Sequence, residues 1–174
     1  MEYTFTLKYR LSENDCDPDV LVERLGAQGC DDALIGVGQP GRIAHEFTRE
    51  GASAAAALQS ALADVRAAIP DASLIEVGPD FVGLTDVAEL LGMSRQNMRK
   101  LMTNHATSFP VPVHEGSTTL WHLADMLDWL QAKGTYQLDH GMLELAKVTR
   151  QINVTKESLR LPSPLKPAMH PLVA

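Results

Sequence analysis

Leu84-Thr85-Asp86-Val87-Ala88-Glu89-Leu90-Leu91-Gly92-Met93-Ser94-Arg95-Gln96-Asn97-Met98-Arg99-Lys100-Leu101-Met102 is the most informative stretch of this 174-residue chain. Its apolar positions recur at helical spacing on both sides of Gly92, which reads as two short helices around a tight turn. Thr85 is placed to cap the first helix, Val87, Ala88 and Leu91 form its inward stripe, and Gly92 supplies a left-handed residue at the turn. Ser94 is placed to cap the second. There Met98, Leu101 and Met102 face inward, while Arg95, Gln96, Arg99 and Lys100 line the opposite side. Ala88, being small, lets the two helices cross closely. A helix that enters the major groove needs donors that reach base edges near its N-terminus: arginine suits guanine, and glutamine or asparagine suits adenine. The competing reading of these residues alone is an ordinary helical hairpin with a solvated basic face.

Downstream, Ser108-Phe109-Pro110-Val111-Pro112-Val113-His114-Glu115-Gly116-Ser117-Thr118-Thr119-Leu120-Trp121 reads as a strand, a Glu-Gly turn and a return strand, a β-wing. The segment 122–130 follows as a helix with Leu123, Met126, Leu127 and Leu130 on one face, closed by Lys133 and Gly134. Trp121 and Trp129 read as packing residues.

Taken together, residues 84–131 resemble the excisionase and AlpA-type prophage regulators, a winged helix-turn-helix group related to the MerR proteins. The residues that carry the resemblance are Val87-Ala88-Glu89-Leu90-Leu91-Gly92, Ser94-Arg95, Phe109-Pro110, Pro112-Val113, Trp121, Asp125, Leu127, Trp129 and Leu130. The resemblance implies that helix 94–104 sits in the major groove of double-stranded DNA and that the wing touches the neighbouring backbone or minor groove. The candidate DNA-binding residues are therefore Ser94, Arg95, Gln96, Asn97, Arg99 and Lys100, with Ser117, Thr118 and Thr119 in the wing. Wing tips of this group are usually basic, and this one carries Glu115 and hydroxyls instead. Hydroxyls still bond phosphate oxygens but release no counterions. A weak wing argues for a homodimer that presents two recognition helices together.

Upstream, Tyr3-Thr4-Phe5-Thr6-Leu7-Lys8-Tyr9-Arg10 alternates with the period of a half-buried strand. Asp17-Pro18 opens a helix to about Leu25, with Gly26 placed for a left-handed exit. Residues 33–37 and 42–47 flank Gly38-Gln39-Pro40-Gly41 as a hairpin. Ala54, Leu58, Leu62, Val65 and Ile69 mark a second helix, and 73–77 a last strand. The order βαββαβ predicts an α+β, ferredoxin-like sandwich over 1–79, then the winged unit over 81–133. Residues 135–160 are expected as a C-terminal helical segment, either packed back on the winged unit or offered to a partner. Residues 161–174, with Pro162, Pro164, Pro167 and Pro171, are expected to be an extended tail.

Charge divides the chain at the same place. Residues 1–80 carry six Lys or Arg against 14 Asp or Glu, and residues 81–174 carry nine against eight. The acidic half, whose aromatics are mainly Tyr3, Phe5 and Tyr9, is a poor nucleic-acid surface. No signal peptide or membrane-length apolar run is visible, so a cytoplasmic protein is expected. Cys16 and Cys30 read as reduced thiols. The six histidines lack zinc-ligand spacing, and no nucleophile elbow, HExxH or phosphate-binding P-loop is present. Neither an enzyme nor a cofactor is therefore expected. The leading expectation is a bacterial or phage transcription regulator. The alternative is an antitoxin or phage-encoded adaptor whose acidic N-terminal domain holds a protein partner.

Overall fold

In the computed structural model, which describes residues 1–15 and 17–173, the chain is a mixed α+β protein. Cys16 lies outside the described residues. Strand β1 (Glu2–Arg10) is followed by α1 (Pro18–Ala27), β2 (Ala33–Gly36), β3 (Arg42–Glu50), α2 (Ala54–Ala68) and β4 (Ser73–Gly78). The four strands make one antiparallel sheet in the order β2-β3-β1-β4. Because β1 is central, its alternation is read on both sides. Tyr3, Phe5, Leu7 and Tyr9 are buried, and the intervening residues lie on the opposite face.

The buried face carries the first core. Phe5 stacks on Phe47 with ring centroids 5.4 Å apart, and Leu21 and Leu25 of α1 join Leu58, Ala61 and Val65 of α2 in the same cluster. Ala57 and Ala61 are buried and Leu62 only partly so, because alanines let α2 lie close to its neighbours. Helix α1 runs through Gly26. The left-handed residue is instead Gly29, at φ 88°. Asp17 caps α1 as expected, its carboxylate accepting from the Asp19 N–H at 3.0 Å.

Beyond β4 come β5 (Phe81–Val82), α3 (Leu84–Leu90), α4 (Arg95–Asn104), β6 (Trp121–His122), α5 (Leu123–Lys133) and α6 (His140–Leu159). Strand β5 pairs with β6, Val82 opposite Trp121, so the segment entering α3 is tied to the one entering α5. Val87, Ala88, Met98, Phe109, Trp121, Met126 and Leu127 form a second core.

Helix α6 belongs to both cores. Leu145 packs into the first, and Leu143 and Ala146 into the second. Its polar residues bind both halves as well. Glu144 accepts from Tyr3 Oη at 2.8 Å and from the Ala54 N–H at 3.1 Å. Thr149 donates to Pro79 O at 2.7 Å. Arg150 pairs with Asp125, and Lys147 with Asp128 at 2.9 Å. Asn153 accepts from the Val77 N–H at 2.9 Å and donates to Val77 O and to Asp80 Oδ2, both at 2.8 Å. Asp80 is 1% exposed, and its other oxygen accepts from His122 Nδ1 at 2.7 Å. A buried carboxylate is tolerable only when so partnered. The packed-back alternative for this segment holds in part, since α6 packs on α5, and it packs on the first sheet as well. The tail is also more regular than expected, with a 3₁₀ turn at Pro167–Met169 and a short helix α7 (His170–Val173). Among the described residues no helix is long and apolar enough to cross a membrane.

Candidate nucleic-acid interface

Helices α3 and α4 are joined by Leu91-Gly92-Met93, where Gly92 sits at φ 63° and the Met93 N–H donates to Ala88 O at 2.9 Å. Only glycine takes that left-handed position without strain. The N-cap of α3 is Gly83 rather than Thr85, and Asp86 Oδ2 accepts from the Gly83 N–H at 2.6 Å. Ser94 caps α4 as its position predicts, its hydroxyl accepting from the Asn97 N–H at 3.2 Å. Met98 is the fully buried anchor of α4, and this leaves Arg95, Gln96, Asn97, Arg99 and Lys100 exposed.

The segment between α4 and β6 is irregular. Its order comes from aromatic packing: Phe109 stands edge-on to Trp121 and Trp129, at 6.0 and 5.0 Å, and Trp121 Nε1 donates to Pro110 O at 3.0 Å. In place of two strands there is a single bridge, His114 to Leu120, with the Leu120 N–H donating to His114 O at 3.0 Å. The return segment then pairs with β5 instead of extending a long hairpin. Residues 115–119 form the tip closed by that bridge.

A groove of about 810 Å³ separates this tip from α4. Arg95, Arg99, Met102 and Thr103 form one wall, and Ser117, Thr118 and Thr119 contribute to the other. Five of the nine sequence candidates therefore meet here. Asn97 and Lys100 line a separate shallow hollow with Asn104 and Tyr136. Ser94 is occupied as a cap, and Gln96 is exposed beside the groove without lining it. Thr103 was not anticipated, although it lies four residues after Arg99 on the same helical face.

The cations of the second half differ in their surroundings. Lys147, Arg150, Lys156 and Arg160 each meet a carboxylate, and Lys133 lies 5.0 Å over the Trp129 ring. Among the described residues none of the ion pairs includes Arg95, Arg99 or Lys100. Among the described residues of the second half, the cations in none of the ion pairs or ring contacts are these three on α4 and Lys166. Comparison with protein-family models, curated proteins and solved structures found no match. Among the described residues no group of three or more His, Cys, Asp or Glu is arranged to hold a metal ion.

Proposed function

We propose that this chain is a sequence-specific double-stranded-DNA-binding transcription regulator of bacterial or phage type, with α4 as the helix that enters the major groove. In this reading the first half is a ferredoxin-like sandwich and residues 81–133 are a winged helix-turn-helix of the excisionase and AlpA-type kind. The strand order of the sheet and the turn at Gly92 support the two assignments. The observation that carries the function is the exposed Arg95 and Arg99, in none of the ion pairs of the described residues, on a capped helix beside a hydroxyl-bearing loop, with Lys100 exposed on the adjoining face.

Arg95 and Arg99 are one turn apart on the groove side and are assigned to bases, with Gln96 beside them. Lys100 faces elsewhere and is assigned to phosphate. The test starts from genomic fragments selected by the purified protein. On the selected site, Arg99→Ala is expected to cost about 1–3 kcal/mol and relax preference at one base pair, while Lys100→Ala weakens all sequences alike and lowers the salt slope by about one. Fluorescence anisotropy against salt measures both. If Arg95, Gln96 and Arg99 are all replaced by Ala and specific binding is unchanged, α4 is not the reader.

The hydroxyl-bearing tip supplies little phosphate affinity, so two copies are expected to act together on half-sites about one DNA turn apart. Light scattering should find a dimer with operator DNA. A monomer at micromolar concentration, both with and without DNA, would refute it.

A further inference from the structure

On the face of the four-stranded sheet that α1 and α2 do not cover, three of the six cations of the acidic half come together. Arg10 and Arg42 are direct cross-strand partners, and Lys8, two residues from Arg10 on the same face, is opposite Ala44. All three are exposed. Lys8 meets Glu76 at 3.3 Å, but among the described residues Arg10 and Arg42 enter none of the ion pairs. Like charges directly opposite on a sheet repel, so this pairing is destabilising as it stands. By contrast, Arg24 is held by Asp15, and Arg49 by Asp32 and Asp64.

Arg42 lines a hollow of about 240 Å³ with Lys8, Gly36, Gly38, Gln39 and Ala44, and Arg10 stands outside that lining. The two glycines are not demanded by the backbone. Neither has a positive φ, and a Cβ on Gly36 would meet only Ala44 O at 3.9 Å, while one on Gly38 would meet nothing within 4 Å. Glycine weakens a strand, and here its effect is to keep the trough open. The loop also offers donors. Among the described residues, the backbone N–H groups of Gly38, Gln39 and Gly41 have no hydrogen-bond partner, whereas the Arg42 N–H donates to Gln39 O at 3.0 Å and the Leu11 N–H to Gly41 O at 2.9 Å. A guanidinium and the free amides of Gly38 and Gln39 in the lining of a small, partly apolar trough suit a carboxylate or phosphate on a compact body.

We propose that this trough is an anion-binding site, taking a small organic molecule through its carboxylate or phosphate, with Arg42, which lines it, as the principal cation and Arg10, the cross-strand partner of Arg42, as a second cation beside the lining. The site lies apart from α4 and does not depend on the DNA-binding reading.

The test is an amide-resolved NMR titration of the full chain at constant ionic strength, with inorganic phosphate in one arm and benzoate in the other. Saturable shifts confined to Gly36, Gly38, Gln39, Gly41 and Arg42 are expected with at least one of them, and the stronger arm identifies the headgroup. Arg42→Ala should weaken binding about tenfold or more. Arg66→Ala, which removes an exposed cation from α2, should leave it unchanged. Gly36→Val should fill the trough and abolish binding without lowering the melting temperature, since valine favours strands. Absence of saturation in both arms overturns the proposal, as does equal binding by Gly36→Val or Arg42→Ala. A loss of affinity for a short DNA duplex in Arg42→Ala, with anion binding intact, would also overturn it by assigning the arginine pair to a nucleic-acid backbone.

Discussion

Arg49→Ala is expected to lower the unfolding free energy by about 3 kcal/mol, near the low end of what breaking a buried ion pair costs, because its two carboxylates keep part of their water. Arg49 is 8% exposed, on the helix-facing side of β3. Its Nε and one terminal nitrogen fork onto Asp32 at 2.7 and 2.8 Å, and that terminal nitrogen also donates to Gly29 O at 2.8 Å. The other terminal nitrogen reaches Asp64 at 2.6 Å and Ser60 at 3.1 Å. One side chain thereby ties β3 to α2 and to the turn between α1 and β2. The same hydrogen bonds hold the Asp32 carboxyl below its usual range. Arg49→Lys should recover little, since an ammonium cannot reproduce the fork. Urea denaturation measures both variants, and a loss below about 1 kcal/mol for Arg49→Ala would remove this network from the list of major stabilising features.

The second large effect is a loss of stability in mild acid that depends on His45. Its ring is fully buried between Tyr9 and Phe47, with centroids 5.9 and 6.1 Å away, and neither ring nitrogen has a hydrogen-bond partner of good geometry. Burial pushes its pKa down from 6.5 to about 4, against a smaller opposing effect from the backbone of Leu7. The unfolded chain therefore binds a proton at a higher pH than the folded one does. The neutral ring's contribution is complete above pH 6.5 and is lost as the pH falls from there to about 4. The interval corresponds to about 3 kcal/mol. His45→Leu should flatten stability against pH across this window while leaving the acid limb from Asp15 and Asp32, both held low by arginine, at lower pH. Parallel curves for the variant and the parent would show that His45 does not carry the effect.

Much of the sheet was legible because a strand with one buried face writes its partner into its own alternation. The 54–69 stripe was legible for the same reason, at helical period. What α6 packs against was not. A stripe tells which side of a helix is buried, and nothing in it marks Thr149 or Asn153 as contacts, because the backbone they satisfy lies 70 to 76 residues away. Asp80 carries no sequence signal for the same reason, its partners coming from β6 and α6. Strand β5 has two residues, too few for any period. At the candidate interface, the face of α4 that carries Arg95 and Arg99 followed from the position of Met98. Its division into a groove side and a Lys100 side did not, because it depends on a loop ordered by Phe109, Trp121 and Trp129 rather than by local pattern.

The Asn153 clasp on β4 also has a meaning in time. Val77 lies 76 residues ahead of Asn153, so the ribosome delivers the strand well before the side chain that covers its edge. At 5–20 residues per second, the interval is roughly 4 to 15 s. Through it the N–H and C=O of Val77 face outward on an unguarded strand, the kind of edge that recruits other nascent chains. Emergence of α6 closes that window, making the last long helix a guard on the first sheet during synthesis.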